Sequence, residues 1–221
     1  MKAKASTSRP RRAPGRPTGG LSQREALIDA ARECFARHGF AATPLRQIAR
    51  EAHVTPALAH YYFASKEGLL AAVVEERIAP LVGSLAGALA AAAADPASAL
   101  RAFVHEYSRI AAENPWLPRL ILREVLSDGG ALRERFQEQF AGLLEARLRA
   151  VIVAGQATGV LDPTLAPSRL MLSVLSLCLF PFVAAPLVSG VLGVSLAPAS
   201  IPALAEHHLA VLTHGIGRLE P

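Results

Sequence analysis

The sequence predicts an all-α chain, with a small three-helix unit on the N-terminal side and a larger helical body after it. Three observations predict this. From Leu21 onward apolar residues recur at spacings of three and four, and no stretch alternates as a strand would. Pairs such as Thr43-Pro44, Thr55-Pro56, Asp95-Pro96 and Asn114-Pro115 punctuate that pattern where helices would begin or end. Hydrophobic residues make up 52% of the 221 and aromatic residues only 5%, so the core must be aliphatic and Ala-rich. A chain of this length can bury such a core without disulfide or metal staples.

Taken in order, residues 1–20 mix Lys, Arg, Pro, Gly, Ser and Thr without apolar period and are expected to be disordered when free. Ser22 can cap a first helix on which Leu27, Ile28, Ala31, Cys34 and Phe35 share a face, and Gly39 stops it at His38. A short second helix is expected over 44–52, with Thr43 as N-cap and Pro44 at the first helical position. Thr55-Pro56 repeats that signal and opens a third helix through Tyr62. Ser65 then caps a fourth at Lys66-Glu67. Two short helices across a turn of about three residues fit a helix-turn-helix. Beyond it, Pro80 should break or kink the fourth helix, leaving an Ala-rich segment to Ala94. Further helices are expected from Asp95-Pro96, after Asn114-Pro115, from the Gly129-Gly130 break to about Thr158, from Asp162-Pro163, and from Pro198 or Pro202. The division is then an arm at 1–20, a helix-turn-helix domain at 21–78 and a helical body at 79–221.

The formal charge is +5, but Lys2, Lys4, Arg9, Arg11, Arg12 and Arg16 place +6 in the first 20 residues with no acid. The body therefore sums to −1, which is +5 less +6. Such asymmetry points to a polyanion, either nucleic acid or an anionic membrane face. No charged residue lies between Arg169 and Glu206. That run is long enough to span a bilayer, but Pro181, Pro186, Pro198 and Pro202 interrupt it and no aromatic belt flanks it. A buried seam between two helical subunits is the favoured reading. A membrane-associated helical protein with a lipid-binding basic tail is the competing one. Cys34 and Cys178 suggest ordinary buried thiols in a reducing, cytoplasmic setting, and no export signal is expected.

Residues 43–66 carry the chemistry. A recognition helix in a major groove needs small or apolar residues near its N-terminus and phosphate donors at its flanks. Ala57 and Leu58, just after Thr55, could touch thymine methyls, and His60, Tyr61 and Tyr62 follow with hydrogen-bonding tips. Thr43, Arg46 and Lys66 stand at helix starts, where backbone N–H groups already favour a phosphate. Tyr61 as a base reader and Tyr61 as a core residue both stand at this point. So do phosphate contact and plain solvation for Arg46 and Lys66.

The stretch 21–77 resembles the N-terminal DNA-binding domain of the TetR family of bacterial transcriptional regulators. The matching pieces are Ala31…Phe35-Ala36…His38-Gly39-Phe40-Ala41-Ala42-Thr43, Arg46-Gln47-Ile48-Ala49-Arg50-Glu51-Ala52 and Tyr61-Tyr62-Phe63-Ala64-Ser65-Lys66-Glu67-Gly68-Leu69-Leu70. The resemblance implies a helix-turn-helix at 44–63 with its recognition helix at 56–62. It implies contacts from Thr43, Arg46, His60, Tyr62 and Lys66, with Phe63 and Leu69 as core. His53 stands at the turn position usually held by Gly, so it should adopt a left-handed backbone at some cost. The order His60-Tyr61-Tyr62-Phe63 also departs from the usual tail of that helix. In the arm, Pro14-Gly15-Arg16-Pro17 looks like the core of an AT-hook, with Arg16 in a narrow minor groove; a non-specific phosphate-binding arm is the other reading.

The remaining helices are similar to that family only in layout, as a ligand-binding and dimerisation domain. Tyr107, Trp116 and Arg123 are the candidate ligand contacts, against the alternative of core aromatics and surface ion pairs. No phosphate loop, nucleophile elbow or paired carboxylate suggests an enzyme. His207, His208 and His214 lack the partners of a metal site, and no cofactor is expected. The expectation is a repressor that binds a palindromic, double-stranded operator as a homodimer and is released by a small molecule.

Overall fold

A computed structural model describes residues 22–215, and every regular element among them is helical. The basic arm and its Arg16 lie outside the described residues. Helix α1 spans Gln23–His38 and begins with a reciprocal cap: Ser22 Oγ accepts from Glu25 N–H while the Glu25 carboxylate accepts from Ser22 N–H. Gly39, at φ 86°, ends it. Helices α2 (Leu45–Glu51) and α3 (Pro56–Phe63) form the helix-turn-helix. His53 sits between them at φ 55°, the left-handed backbone that its place in the turn demands.

Helix α4 (Lys66–Val73), capped by Ser65, passes through a π turn (Val74–Ile78) into α5 (Ala79–Ala91). The expected break at Pro80 does not occur. Proline has no N–H and its ring crowds the carbonyl four residues back. The π turn, in which Ala79 N–H reaches Val74 O, loosens the backbone just ahead of it and the helix runs on.

Asp95 caps α6 (Pro96–Glu113), accepting from Ala97 and Ser98 N–H. Helix α7 (Trp116–Ile121) continues into a second π turn (Leu122–Leu126), and α8 (Arg133–Phe136) into a third (Gln137–Ala141) that leads to α9 (Gly142–Ala157). Asp162 does not open a helix: its carboxylate binds Thr164 in a local turn, and α10 begins at Pro167 and runs to Val183 through Pro181. Helix α11 (Ala185–Gly190), a short 3₁₀ turn at Pro198–Ser200 and α12 (Ile201–His214) complete the body. Among the described residues no helix is long and apolar enough to cross a membrane.

The buried apolar side chains join the two parts. One cluster runs from Leu27, Phe35, Ile48 and Phe63 around the helix-turn-helix, through Leu69, Val73 and Ile78, to Phe103, Leu120, Leu148 and Leu209 in the body. Phe63 and Leu69 lie inside it, and Cys34 and Cys178 are buried free thiols. Burial pushes the Cys178 thiol up to about 12, so it stays protonated and unreactive.

Candidate nucleic-acid interface and effector chamber

The recognition helix α3 buries one stripe, Ala59 and Phe63, and leaves Ala57, His60, Tyr61 and Tyr62 on the surface. Tyr61 is 80% exposed, which excludes it from the core. Its ring meets Tyr62 edge to face at 5.3 Å. Leu58 is half-buried. Exposed Thr55 caps α3 by accepting from Leu58 N–H at 3.3 Å, and its hydroxyl hydrogen remains for another acceptor. His60 Nδ1 lies 3.1 Å from Ala64 O, and a carbonyl only accepts; Nδ1 therefore carries the proton and Nε2 is the free ring atom. Arg46 is exposed on α2.

The corner after α3 is tight. Ser65 N–H donates to Phe63 O across Ala64, whose φ of 59° and ψ of −48° describe a strained three-residue turn. Gly68 makes the return possible, since a Cβ there would lie 2.2 Å from Phe63 O.

Two expected contacts face inward instead. Thr43 neither caps α2 nor reaches the surface: Pro44 is the N-cap, and fully buried Thr43 donates its hydroxyl to Gly39 O at 2.6 Å. Its side chain ties the α1–α2 corner rather than a phosphate. Lys66 is half-buried, with Nζ donating to Phe40 O at 2.7 Å and lying 4.3 Å from the centre of the Phe40 ring. Carbonyl and ring satisfy a cation that the sequence would place in solvent.

In the body, a chamber of about 370 Å³ opens between α5, α6, α7, α9 and α10. All three π turns contribute to its wall: Ile78 from the first, Val125 and Leu126 from the second, Ala141 from the third. Of the three expected ligand contacts only Tyr107 lines it. Burial pushes the Tyr107 hydroxyl above the ordinary tyrosine range, and nearby Cys178 adds to this, so it remains protonated.

Trp116 is buried elsewhere, under the Arg32 guanidinium of α1 at 5.3 Å. Arg123 is exposed beside Gly39, where an added Cβ would meet its Cδ at 3.1 Å. Both belong to the junction with α1, because α7 and its π turn give one side to α1 and another, with Leu117, Ile121, Val125 and Leu126, to the chamber.

That junction holds a residue whose role no local pattern reveals. Glu124 is 5% exposed; its Oε1 accepts from Phe40 N–H at 2.8 Å and its Oε2 from Ala131 N–H at 3.0 Å. The first π turn makes a parallel link: Glu76 pairs with Arg24 and Arg77 with Asp29 at 2.8 Å, both partners on α1. The Arg24 guanidinium holds the Glu76 carboxyl below its usual range.

An exposed recognition face carried on a body with an internal apolar chamber defines a ligand-responsive, DNA-binding transcriptional regulator. The sequence profile of the bacterial regulatory proteins of the tetR family matches residues 27–73, and that of the tetracyclin repressor-like C-terminal domain matches residues 96–211. The chain belongs to the TetR family. It is 30% identical over 161 residues to the HTH-type transcriptional repressor NicS of Pseudomonas putida, covering 71% of this chain and 74% of that protein. With the HTH-type transcriptional regulator BetI of Rhizobium meliloti it shares 44% identity over 71 residues, 32% of this chain and only 35% of that one. The fold is similar to that of the TetR family transcriptional regulator PfmR from Thermus thermophilus, with a TM-score of 0.69 at 22% identity over 90% of this chain and 100% of that one.

Proposed function

We propose that the protein is a repressor, bound to a palindromic operator as a homodimer and released when a small molecule fills the chamber. The observation that carries this reading is the double use of two π turns. Val74–Ile78 and Leu122–Leu126 wall the chamber with Ile78, Val125 and Leu126. The same turns hold α1 and the Gly39–Phe40 corner through Glu76, Arg77 and Glu124. A ligand acts only through its differential affinity for two arrangements of the protein. Filling the chamber moves the turns, the turns move α1, and the two recognition helices lose the spacing of successive major-groove faces.

On the DNA side, Ala57 and Leu58 meet base methyls, His60, Tyr61 and Tyr62 supply polar tips, and Arg46 and Thr55 hold phosphates. Arg16 and its neighbours in the arm add phosphate or minor-groove contacts. The domain limits follow at 1–20, 21–78 and 79–221. Dimerisation uses the apolar side chains that α10 and α11 expose, among them Leu172, Phe180 and Leu187. The reading involves no catalytic step, metal or cofactor and places the protein in the cytoplasm with its DNA.

Selection of bound duplexes from a random pool tests it. A two-fold symmetric sequence occupied by an even number of chains is the expected result. Selection of an asymmetric site by a single chain would overturn the proposal.

A further inference from the structure

We infer that the chamber takes an uncharged, lipophilic molecule whose polar group meets the Tyr107 hydroxyl; this rests on the chamber being the effector site. The walls are aliphatic or aromatic, with Leu85, Phe103, Ile110, Leu148 and Met171 among them. Of all the lining residues only Tyr107 and Glu145 carry a side-chain oxygen, and none is Lys, Arg or His.

A carboxylate or phosphate entering this space would give up its hydration with no cation or N–H cluster to replace it. Glu145, exposed at the lining and paired with Arg149, offers an anion no donor. A cation fares little better, since its one carboxylate has that partner. The wall instead favours apolar contact, and a volume of about 370 Å³ suits a drug-sized ligand.

Tyr107 then supplies orientation. Burial and the neighbouring Cys178 raise its titration, so the hydroxyl on the wall stays protonated. A protonated phenol both donates and accepts, so an alcohol, ether or ketone oxygen on the ligand satisfies it without any charge.

The test uses the full chain and the uncharged fluorophore N-phenyl-1-naphthylamine, displaced by 1-decanol or by decanoate, which share a chain length and differ in charge. At pH 8 the dye is expected to brighten and saturate at one per chain. Decanol should displace it at least tenfold more effectively than decanoate. That gap should narrow as the pH falls toward the carboxylate range, where the acid becomes neutral.

Two variants that fill the space, Ala111→Phe and Ala141→Phe, should each reduce dye binding at least tenfold while retaining helicity. Tyr107→Phe should weaken decanol by about two- to tenfold, the value of one hydrogen bond. Equal displacement by decanoate and decanol at pH 8 would overturn the inference, as would full dye binding in both filled variants. Intact dye displacement with no effect on operator binding would instead count against the switch described above and leave the ligand class standing.

Discussion

Removing the Glu124 carboxylate should loosen the α1–α2 corner before it unfolds the protein. Its two oxygens accept from Phe40 N–H at 2.8 Å and Ala131 N–H at 3.0 Å, 84 residues and 7 residues away in sequence. A hydrogen bond to a charged acceptor contributes about 1.5–3 kcal/mol, and Glu124→Ala breaks two while leaving both donors without a partner. Relief of the desolvation borne by a buried carboxylate offsets part of this, leaving a loss of about 2–4 kcal/mol. Glu124→Gln keeps one acceptor oxygen and turns an amide N–H toward the other donor, so about half that loss is expected.

Urea unfolding reads the total, and amide exchange reads the place. At about 1.4 kcal/mol per factor of ten, the Phe40 amide should exchange roughly five- to thirtyfold faster in Glu124→Gln. With a compound that releases the wild type from its operator, the ratio of affinities without and with ligand should fall toward one. Unchanged exchange at Phe40 together with an unchanged ratio would refute the argument that this carboxylate joins chamber to DNA.

Other consequences are equally direct. Gly68→Ala drives a Cβ to 2.2 Å from a backbone oxygen, so it should cost several kcal/mol in unfolding experiments and abolish operator binding. Gly87→Ala, on an open face of α5, should raise stability by up to about 1 kcal/mol. Tyr61→Ala should leave the melting temperature unchanged and weaken operator binding by about 1–3 kcal/mol, as measured by mobility shift; unaltered affinity would remove Tyr61 from the interface. His208 is buried on α12 with Nδ1 unpartnered, and burial, reinforced by His207, holds its titration below the ordinary 6.5. The unfolded chain then binds that proton more readily, so His208 should lower stability as pH falls from 6.5 toward its folded value. Melting curves at pH 7.5 and 5.5 should differ less in His208→Leu than in the wild type.

What could be seen in the sequence was local chemistry. Ser22, Thr55, Ser65 and Asp95 announce helix starts because a cap binds N–H groups two or three residues away, and the structure has each cap in place. Left-handed His53 followed instead from the resemblance, which puts it at a turn position usually held by Gly. The identical dipeptides Thr43-Pro44 and Thr55-Pro56 mark the limit. One threonine caps, and the other is drawn inward by a corner built around Gly39, a difference set by packing rather than by the pair itself.

The parts that make a switch are those with distant partners. Arg123-Glu124 reads as a surface pair on a helix, yet the carboxylate is spent on a backbone N–H in another part of the chain. Trp116 looks like a ligand platform until Arg32 is found across its face. π turns have no residue signature, and Pro80 was the only hint of one. A regulator needs its chamber to touch its DNA-binding unit through groups that neither part would position alone. Such groups have to be non-local, so an effector site and its coupling are harder to read from sequence than a recognition helix. The replacement of Trp116 and Arg123 by Val125 and Leu126 as chamber-lining residues is an instance: all four lie within eleven residues, and only the way α7 packs on α1 decides which of them lines the chamber.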